Sequence, residues 1–252
     1  MTEVSLSVQA AIRELVLANR ILDREGVVDA LGHVSIRHPE MSDRYLLSCA
    51  RSPGLVTDDD ILEFDLESRP IVPQDRPLFA ERFIHGSIYK ARSDVNAICH
   101  NHALQLIPFS VTGTPIKPIW VMGAALGNET RVWDVREAFP NDDGMLVVND
   151  TMGASLAGAL GMSRVCLLTS HGAVVAEAGI RQTVLVSINL VTNAEILLQS
   201  SQLTLAQNRK ETRYLTEAEI ASMSKLIFNP RALDRMWEYW AARADNNRGA
   251  PS

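Results

Sequence analysis

The chain has 252 residues, 46% hydrophobic and 21% charged, with a formal net charge of −6, an ordinary globular balance that can build one large core. The acidic balance and the lack of any Lys/Arg cluster argue against an electrostatic footprint for nucleic acid or an anionic membrane surface. No continuous run reaches the roughly 18 apolar residues of a membrane span, and Glu3, Glu14 and Asp23 do not suit a secretory leader, so a cytoplasmic protein is expected.

Val8, Ile12, Leu15, Ala18 and Leu22 recur at three-and-four spacing, which predicts an amphipathic helix over 6–24. Short strands are expected at 34–37, 44–48 and 61–66, separated by turn residues, with Thr57-Asp58-Asp59-Asp60 as a loop or helix cap. That order predicts an antiparallel start. A helical pattern returns at 78–92, and an apolar strand at 95–99 delivers His100 and His102 at its end. Further on, 154–160 suits a helix, 165–169 a buried strand ending at His171-Gly172, 173–176 another strand and 181–199 a long helix.

Helices and strands mixed without strict β-α-β repetition predict an α/β fold, a mixed sheet covered by helices. With no repeat or linker, a single domain over 1–252 is expected, with its core at 6–215, a C-terminal helical segment at 216–245 and a frayed polar tail at 246–252. Cys49, Cys99 and Cys166 are odd in number and form no C-x-x-C, so they read as small buried hydrophobes.

Two imidazoles two residues apart, His100 and His102, project from the same face of an extended backbone and can close on one ion, although the same pair also suits an exposed strand. A third ligand must come from elsewhere, and His171, where a buried strand runs into Gly172, is the best placed of the remaining histidines. Glu81 adds an oxygen ligand or a base.

With Gly32-His33-Val34-Ser35, Glu81-Arg82-Phe83-Ile84-His85 and Ser170-His171-Gly172 in place, the chain resembles the class II aldolase/adducin family over nearly its whole length. The resemblance implies a three-layer α/β/α fold with a largely antiparallel sheet. It also implies one divalent metal ion per chain held by His100, His102 and His171, with Glu81 as the catalytic acid/base. Three neutral imidazoles with an open position make a catalytic rather than a structural site. Manganese or zinc is expected, with iron(II) compatible, and the family's four-fold tetramers imply a homo-oligomer. His33 falls at a substrate-loop position, whereas His38 reads as a surface residue and His85 as helix-face packing.

Within that family the sugar-phosphate aldolases hold phosphate with an Asn and with small hydroxyl residues. Here His33 replaces the Asn, and Pro77-Leu78-Phe79-Ala80 offers no hydroxyl before Glu81. Leu78 and Phe79 instead suit a flat apolar ligand. In the loop Ser48-Cys49-Ala50-Arg51-Ser52-Pro53-Gly54, Arg51 suits capture of a carboxylate or stands as a solvated surface arginine, with Ser48 beside it.

These departures are similar to the family's decarboxylases and imply a metal-dependent carboxy-lyase for a hydroxylated aromatic or heteroaromatic dicarboxylate, or a ring-cleavage product, in catabolism. The alternatives are a retro-aldol lyase on a non-phosphorylated hydroxy acid, a non-haem iron oxygenase, and a non-catalytic adducin-like module. Intact His100, His102, His171 and Glu81 speak against the last. Trp237, Tyr239 and Trp240 suit helix packing singly, and as a set they could close a neighbour's pocket, with Tyr239 touching substrate.

Overall fold

Period-two alternation along the strands sorts the apolar side chains onto two faces of one sheet, and helices cover both. The computed structural model describes residues 5–128, 130–141, 144–207 and 212–245; the tail expected at 246–252 lies outside the described residues. In chain order the elements are α1 (Leu6–Arg24), β1 (His33–Arg37), β2 (Arg44–Ser48), β3 (Ile61–Asp65), α2 (Phe83–Ala91), β4 (Ala97–Asn101), α3 (Ile107–Val111), β5 (Arg131–Trp133) and α4 (Val135–Ala138). There follow α5 (Asp150–Leu160), β6 (Val165–Leu168), β7 (Gly172–Glu177), α6 (Ile180–Ala206), α7 (Glu217–Ile227) and α8 (Pro230–Asp245).

The seven strands lie in the order β3-β2-β1-β4-β7-β6-β5. Each neighbouring pair is antiparallel except β5 with β6, which is parallel. One face presents Tyr45, Leu47, Ile98, Cys166, Leu168 and Val174 to Ile84 and Ile88 of α2 and Leu156 and Leu160 of α5. The other presents Val34, Ile36, Cys99, Leu167 and Val175 to the apolar stripes of α1, α6 and α8. The result is the expected three-layer α/β/α fold with a mixed, largely antiparallel sheet. All three cysteines are buried and unpaired, as expected.

Three expectations shift. The pattern at 78–92 starts helical later than expected: Phe79 is extended (φ −57°, ψ 130°), a single 3₁₀ turn covers Ala80–Arg82, and α2 begins at Phe83. Helix α6 runs on to Ala206 and is long and apolar enough, by length and composition, to cross a bilayer. Most of that apolar window is buried in the fold, with Thr183, Ser187 and Asn193 inside it. Finally, Trp237 and Trp240 of α8 are buried in the same core as α1 and the sheet, while Tyr239 is 58% exposed and pairs with Arg243 on its own helix.

Candidate metal centre and adjoining cavity

Antiparallel pairing of β1 with β4 sets His33 opposite His100. His102 follows β4 on the same face, at the period-two spacing. His171 arrives from the turn between β6 and β7. Ser170 holds the left-handed backbone conformation there (φ 61°), which a residue with a Cβ adopts at a cost and which clusters at functional sites. Gly172 must then pass against β4: a Cβ on it would stand 1.9 Å from the Asn101 carbonyl oxygen, so any side chain would push the turn, and His171 with it, away from the other histidines.

Glu81 is the middle residue of the 3₁₀ turn, with φ −90° and ψ 17°, in the sparsely allowed bridge region where active-site residues recur. That break turns its carboxylate into the cluster. The ligand atoms of Glu81, His100, His102 and His171 lie within 4.8 Å of one another. Glu81 Oε2 is 3.4 Å from His100 Nε2 and 3.3 Å from His171 Nε2, and His100 Nε2 is 3.1 Å from His102 Nε2. Ligand atoms around a tetrahedral ion with bonds of about 2.0–2.1 Å stand roughly 3.3–3.4 Å apart, so the spacing fits one ion.

The outer nitrogens explain why the inner ones converge. His100 Nδ1 donates to the Ala173 carbonyl at 3.2 Å, His171 Nδ1 to the Met145 carbonyl at 3.0 Å, and His102 Nδ1 to Asp29 Oδ1 at 3.0 Å. Oxygen acceptors of this kind fix the N–H on Nδ1 and leave each Nε2 of a neutral ring with a lone pair. Three lone pairs and a carboxylate oxygen thus face one point, a donor set that fits a divalent cation.

Burial would raise the Glu81 pKa, but the His100 and His171 imidazoles alongside hold it well below the usual carboxylate range. Burial would lower His171, yet Glu81 raises it, so the cluster attracts positive charge. Burial pushes His100 down. The second Glu81 oxygen accepts from the Val147 N–H at 3.0 Å, which keeps the carboxylate in place.

A cavity of about 370 Å³ opens onto this centre, lined by Asp29, Leu31, His33, Phe79, Ala80, Glu81, His102 and Leu146. His33 and Phe79 therefore reach it, as expected from sequence, with ring centroids 4.5 Å apart. Leu78, Ser48, Arg51 and Tyr239 are not among its lining residues. Leu78 packs at the margin of the α2 face of the core, and Ser48 is buried at the end of β2. The Arg51 guanidinium bonds Asp60 at 3.3 Å, while the Ala50 N–H donates to the Pro77 carbonyl, which ties its loop to the one carrying Phe79.

Two histidines differ from expectation. His38 is buried rather than on the surface, because its Nδ1 accepts from the N–H groups of Glu40 and Met41 and closes that turn. His85 is buried, as a packing residue would be, but it also bonds His33 and Ser35. Sequence reasoning missed Asp29, Leu31 and Leu146. Asp29 left one signal, an Asx position before Gly32 whose carboxylate accepts from the Leu31 and Gly32 N–H groups.

Residues 13–198 match the profile of the Class II Aldolase and Adducin N-terminal domain. The chain is 29% identical to the decarboxylase tropJ of Talaromyces stipitatus, over 96% of this chain and 97% of that protein. It is 31% identical to the 3,4-dihydroxyphthalate decarboxylase of Arthrobacter keyseri, over 75% and 79%. The solved L-fuculose 1-phosphate aldolase of Glaciozyma antarctica superposes with a TM-score of 0.76 at 21% identity, covering 99% of this chain and 95% of that one, a likeness of fold.

Proposed function

The chain belongs to the class II aldolase and adducin N-terminal domain family, and from that premise we propose that it is a metal-dependent carboxy-lyase acting on a hydroxylated aromatic or heteroaromatic carboxylate. The observation that carries this reading is the cavity wall: beside Glu81 and His102 stand Leu31, Phe79, Ala80 and Leu146, with no hydroxyl or amide side chain among the described lining residues. Such a wall suits a flat ring and gives a sugar phosphate little to bond. Decarboxylases among the relatives, one of them matched almost end to end, support the same choice.

In this reading His100, His102 and His171 hold the ion, with Glu81 next to it. A divalent ion there supplies a Lewis acid that draws electrons away from the breaking carbon–carbon bond. Manganese or zinc suits these donors, and iron(II) is compatible. Phe79, Leu31 and Leu146 orient the ring and exclude water from it. The carboxylate carbon leaves as carbon dioxide, the bonding pair stays on the ring carbon, and the replacing proton reaches that carbon through Glu81. His33 binds a carboxylate oxygen of the substrate, and Arg51, one loop away, receives a second carboxylate when it swings off Asp60. We take the chain to act as one catalytic domain in a homo-oligomer, a tetramer by family resemblance, with the exposed Leu31 and Leu146 at the mouth covered by a neighbouring copy.

Incubating the metal-loaded protein with a panel of hydroxylated aromatic mono- and dicarboxylates, 3,4-dihydroxyphthalate among them, and assaying carbon dioxide and ring product tests the proposal. Carbon dioxide is expected in step with ring product. An aldehyde in place of carbon dioxide would mean retro-aldol cleavage, and turnover that requires dioxygen would mean an oxygenase.

A further inference from the structure

We infer that a buried hydrogen-bond chain from Tyr89 through Ser35 and His85 fixes His33 as an Nε2–H donor facing the cavity, so that His33 grips an anionic oxygen of the substrate. His85, Ser35 and Tyr89 are then positioning residues. The carboxylate as the oxygen's source rests on the function proposed above.

The chain arises from two periodicities. His33 and Ser35 alternate onto one face of β1, and His85 and Tyr89, four apart, share one face of α2. Packing the helix on the sheet brings them into line. Tyr89 OH is 2.9 Å from Ser35 Oγ, Ser35 Oγ is 2.6 Å from His85 Nδ1, and His85 Nε2 is 2.6 Å from His33 Nδ1. All four side chains are buried. The two ring nitrogens 2.6 Å apart share a single proton, since two N–H groups could not face each other there, and burial opposes a charge on His85, so the neutral rings carry one N–H each.

Only one direction satisfies every proton. If Tyr89 donates to Ser35, Ser35 to His85 Nδ1 and His85 Nε2–H to His33 Nδ1, each donor has an acceptor, and the remaining proton sits on His33 Nε2. If His85 instead carried its proton on Nδ1, Ser35 would have to accept it. Ser35 or Tyr89 would then keep a hydroxyl proton with nothing to receive it, since the bonds of Tyr89 OH among the described residues run to Ser35 alone. A buried donor without an acceptor is costly, and native interiors avoid it.

His33 Nε2 has no partner among the described residues, and its ring lines the cavity beside Phe79 and opposite His100. A neutral ring locked in this tautomer donates and cannot accept a proton at the cavity side. It selects substrates that place an oxygen acceptor there, and it is not the base of the reaction.

The test is the imidazole ¹⁵N spectrum of the zinc-loaded protein without substrate, with His33 and His85 assigned by substitution. Both rings are expected to show N–H at Nε2 and a bare Nδ1. A proton on His33 Nδ1 would overturn the inference, and this readout stands whether or not the decarboxylase reading survives. Ser35→Ala removes the link that sets the direction, so both His33 tautomers should appear in that variant. A pure Nε2–H signal there would mean that the direction is set elsewhere.

Kinetics with 3,4-dihydroxyphthalate as probe give a second readout. His85→Gln keeps an N–H donor for His33 Nδ1 and is expected to stay within about threefold of the parent, whereas His85→Leu should raise KM roughly tenfold or more with a smaller change in kcat. Equal impairment of the two variants would reduce His85 to a packing residue. A panel that yields no turnover would sink the proposed function and leave the tautomer result to decide the chain.

Discussion

Asp29 Oδ1 receives the Nδ1–H of His102 at 3.0 Å, so the most exposed of the three imidazoles in the cluster is oriented by a side chain, whereas His100 and His171 are oriented by main-chain carbonyls. Partners of this kind fix ring orientation and raise ligand basicity, and their loss typically costs about 10–100-fold in metal affinity. Asp29→Ala is expected to weaken metal binding in that range while the far-ultraviolet spectrum stays native. Competition titration with a chromogenic chelator reads the affinity; an unchanged value would remove Asp29 from the site.

Ligand substitution should act on the ion itself. The protein is expected to carry close to one divalent ion per chain, to lose activity on chelation and to recover it on adding manganese or zinc, because the donor set is otherwise complete. His100→Ala and His171→Ala should each reduce both metal content and turnover. Elemental analysis beside the carbon dioxide assay checks this, and full metal with full turnover in either variant would show the ligands to be assigned wrongly.

Glu81 and Arg51 are assigned to different steps and should fail differently. Glu81→Gln removes the carboxylate's proton chemistry at constant size, so kcat should fall roughly 10²-fold or more while KM changes little. Arg51→Ala removes a charge-assisted contact, so it should mainly raise KM, and more for a dicarboxylate than for a monocarboxylate. Steady-state kinetics on one of each decides the matter. Equal impairment on both would leave Arg51 with only its bond to Asp60.

Glu177, at the end of β7, sets a pH dependence unrelated to catalysis. Arg164 Nε is 3.2 Å from its Oε1, but no hydrogen bond forms there, and burial raises the carboxyl pKa despite Arg164. A carboxyl raised on folding favours the native state below its ordinary pKa, and that contribution is lost as pH rises through the folded value. Glu177→Gln cannot ionise. Its melting temperature, relative to that of the parent, should therefore increase between about pH 4 and pH 7; a difference constant across that range would contradict the assignment.

Sugar phosphates should be poor substrates. Fuculose or ribulose phosphates offered to the metal-loaded protein are expected to be cleaved at least about 10²-fold less efficiently than the best aromatic carboxylate, because the described cavity lining offers a phosphate no hydroxyl or amide side chain. Robust aldehyde release in a coupled assay would overturn the decarboxylase branch.

His100 and His102 were visible at strand spacing and His171 where a buried strand runs into a glycine, but the pair alone also suited an exposed strand, and it was the family resemblance that joined the three histidines with Glu81, which lies inside the helical pattern at 78–92. Asp29 was not visible, since its role depends on a loop meeting the end of β4 and no local period reports that. His85 read as packing for a related reason: from α2 alone it is one more inward-facing residue, and only the packing of α2 on β1 supplies Ser35 and His33. The apolar character of Leu78 and Phe79 was visible, but which of them turns to the cavity depended on the extended backbone at Phe79. Strand limits moved by about two residues where pairing decides them: β4 begins at Ala97, opposite Ile36 and Glu177, not at Val95.

The turn carrying Ser170, His171 and Gly172 leads into β7, whose pairing with β4 sets His171 beside His100 and His102. During synthesis the chain therefore presents His100 and His102 long before the third imidazole exists outside the ribosome. A nascent chain that ends short of β7 holds at most a loose bidentate site, with its strand edge open to other partners. An ion held by all three imidazoles would bind only the chain in which β7 is in place, so metal supply would favour the finished state over earlier ones.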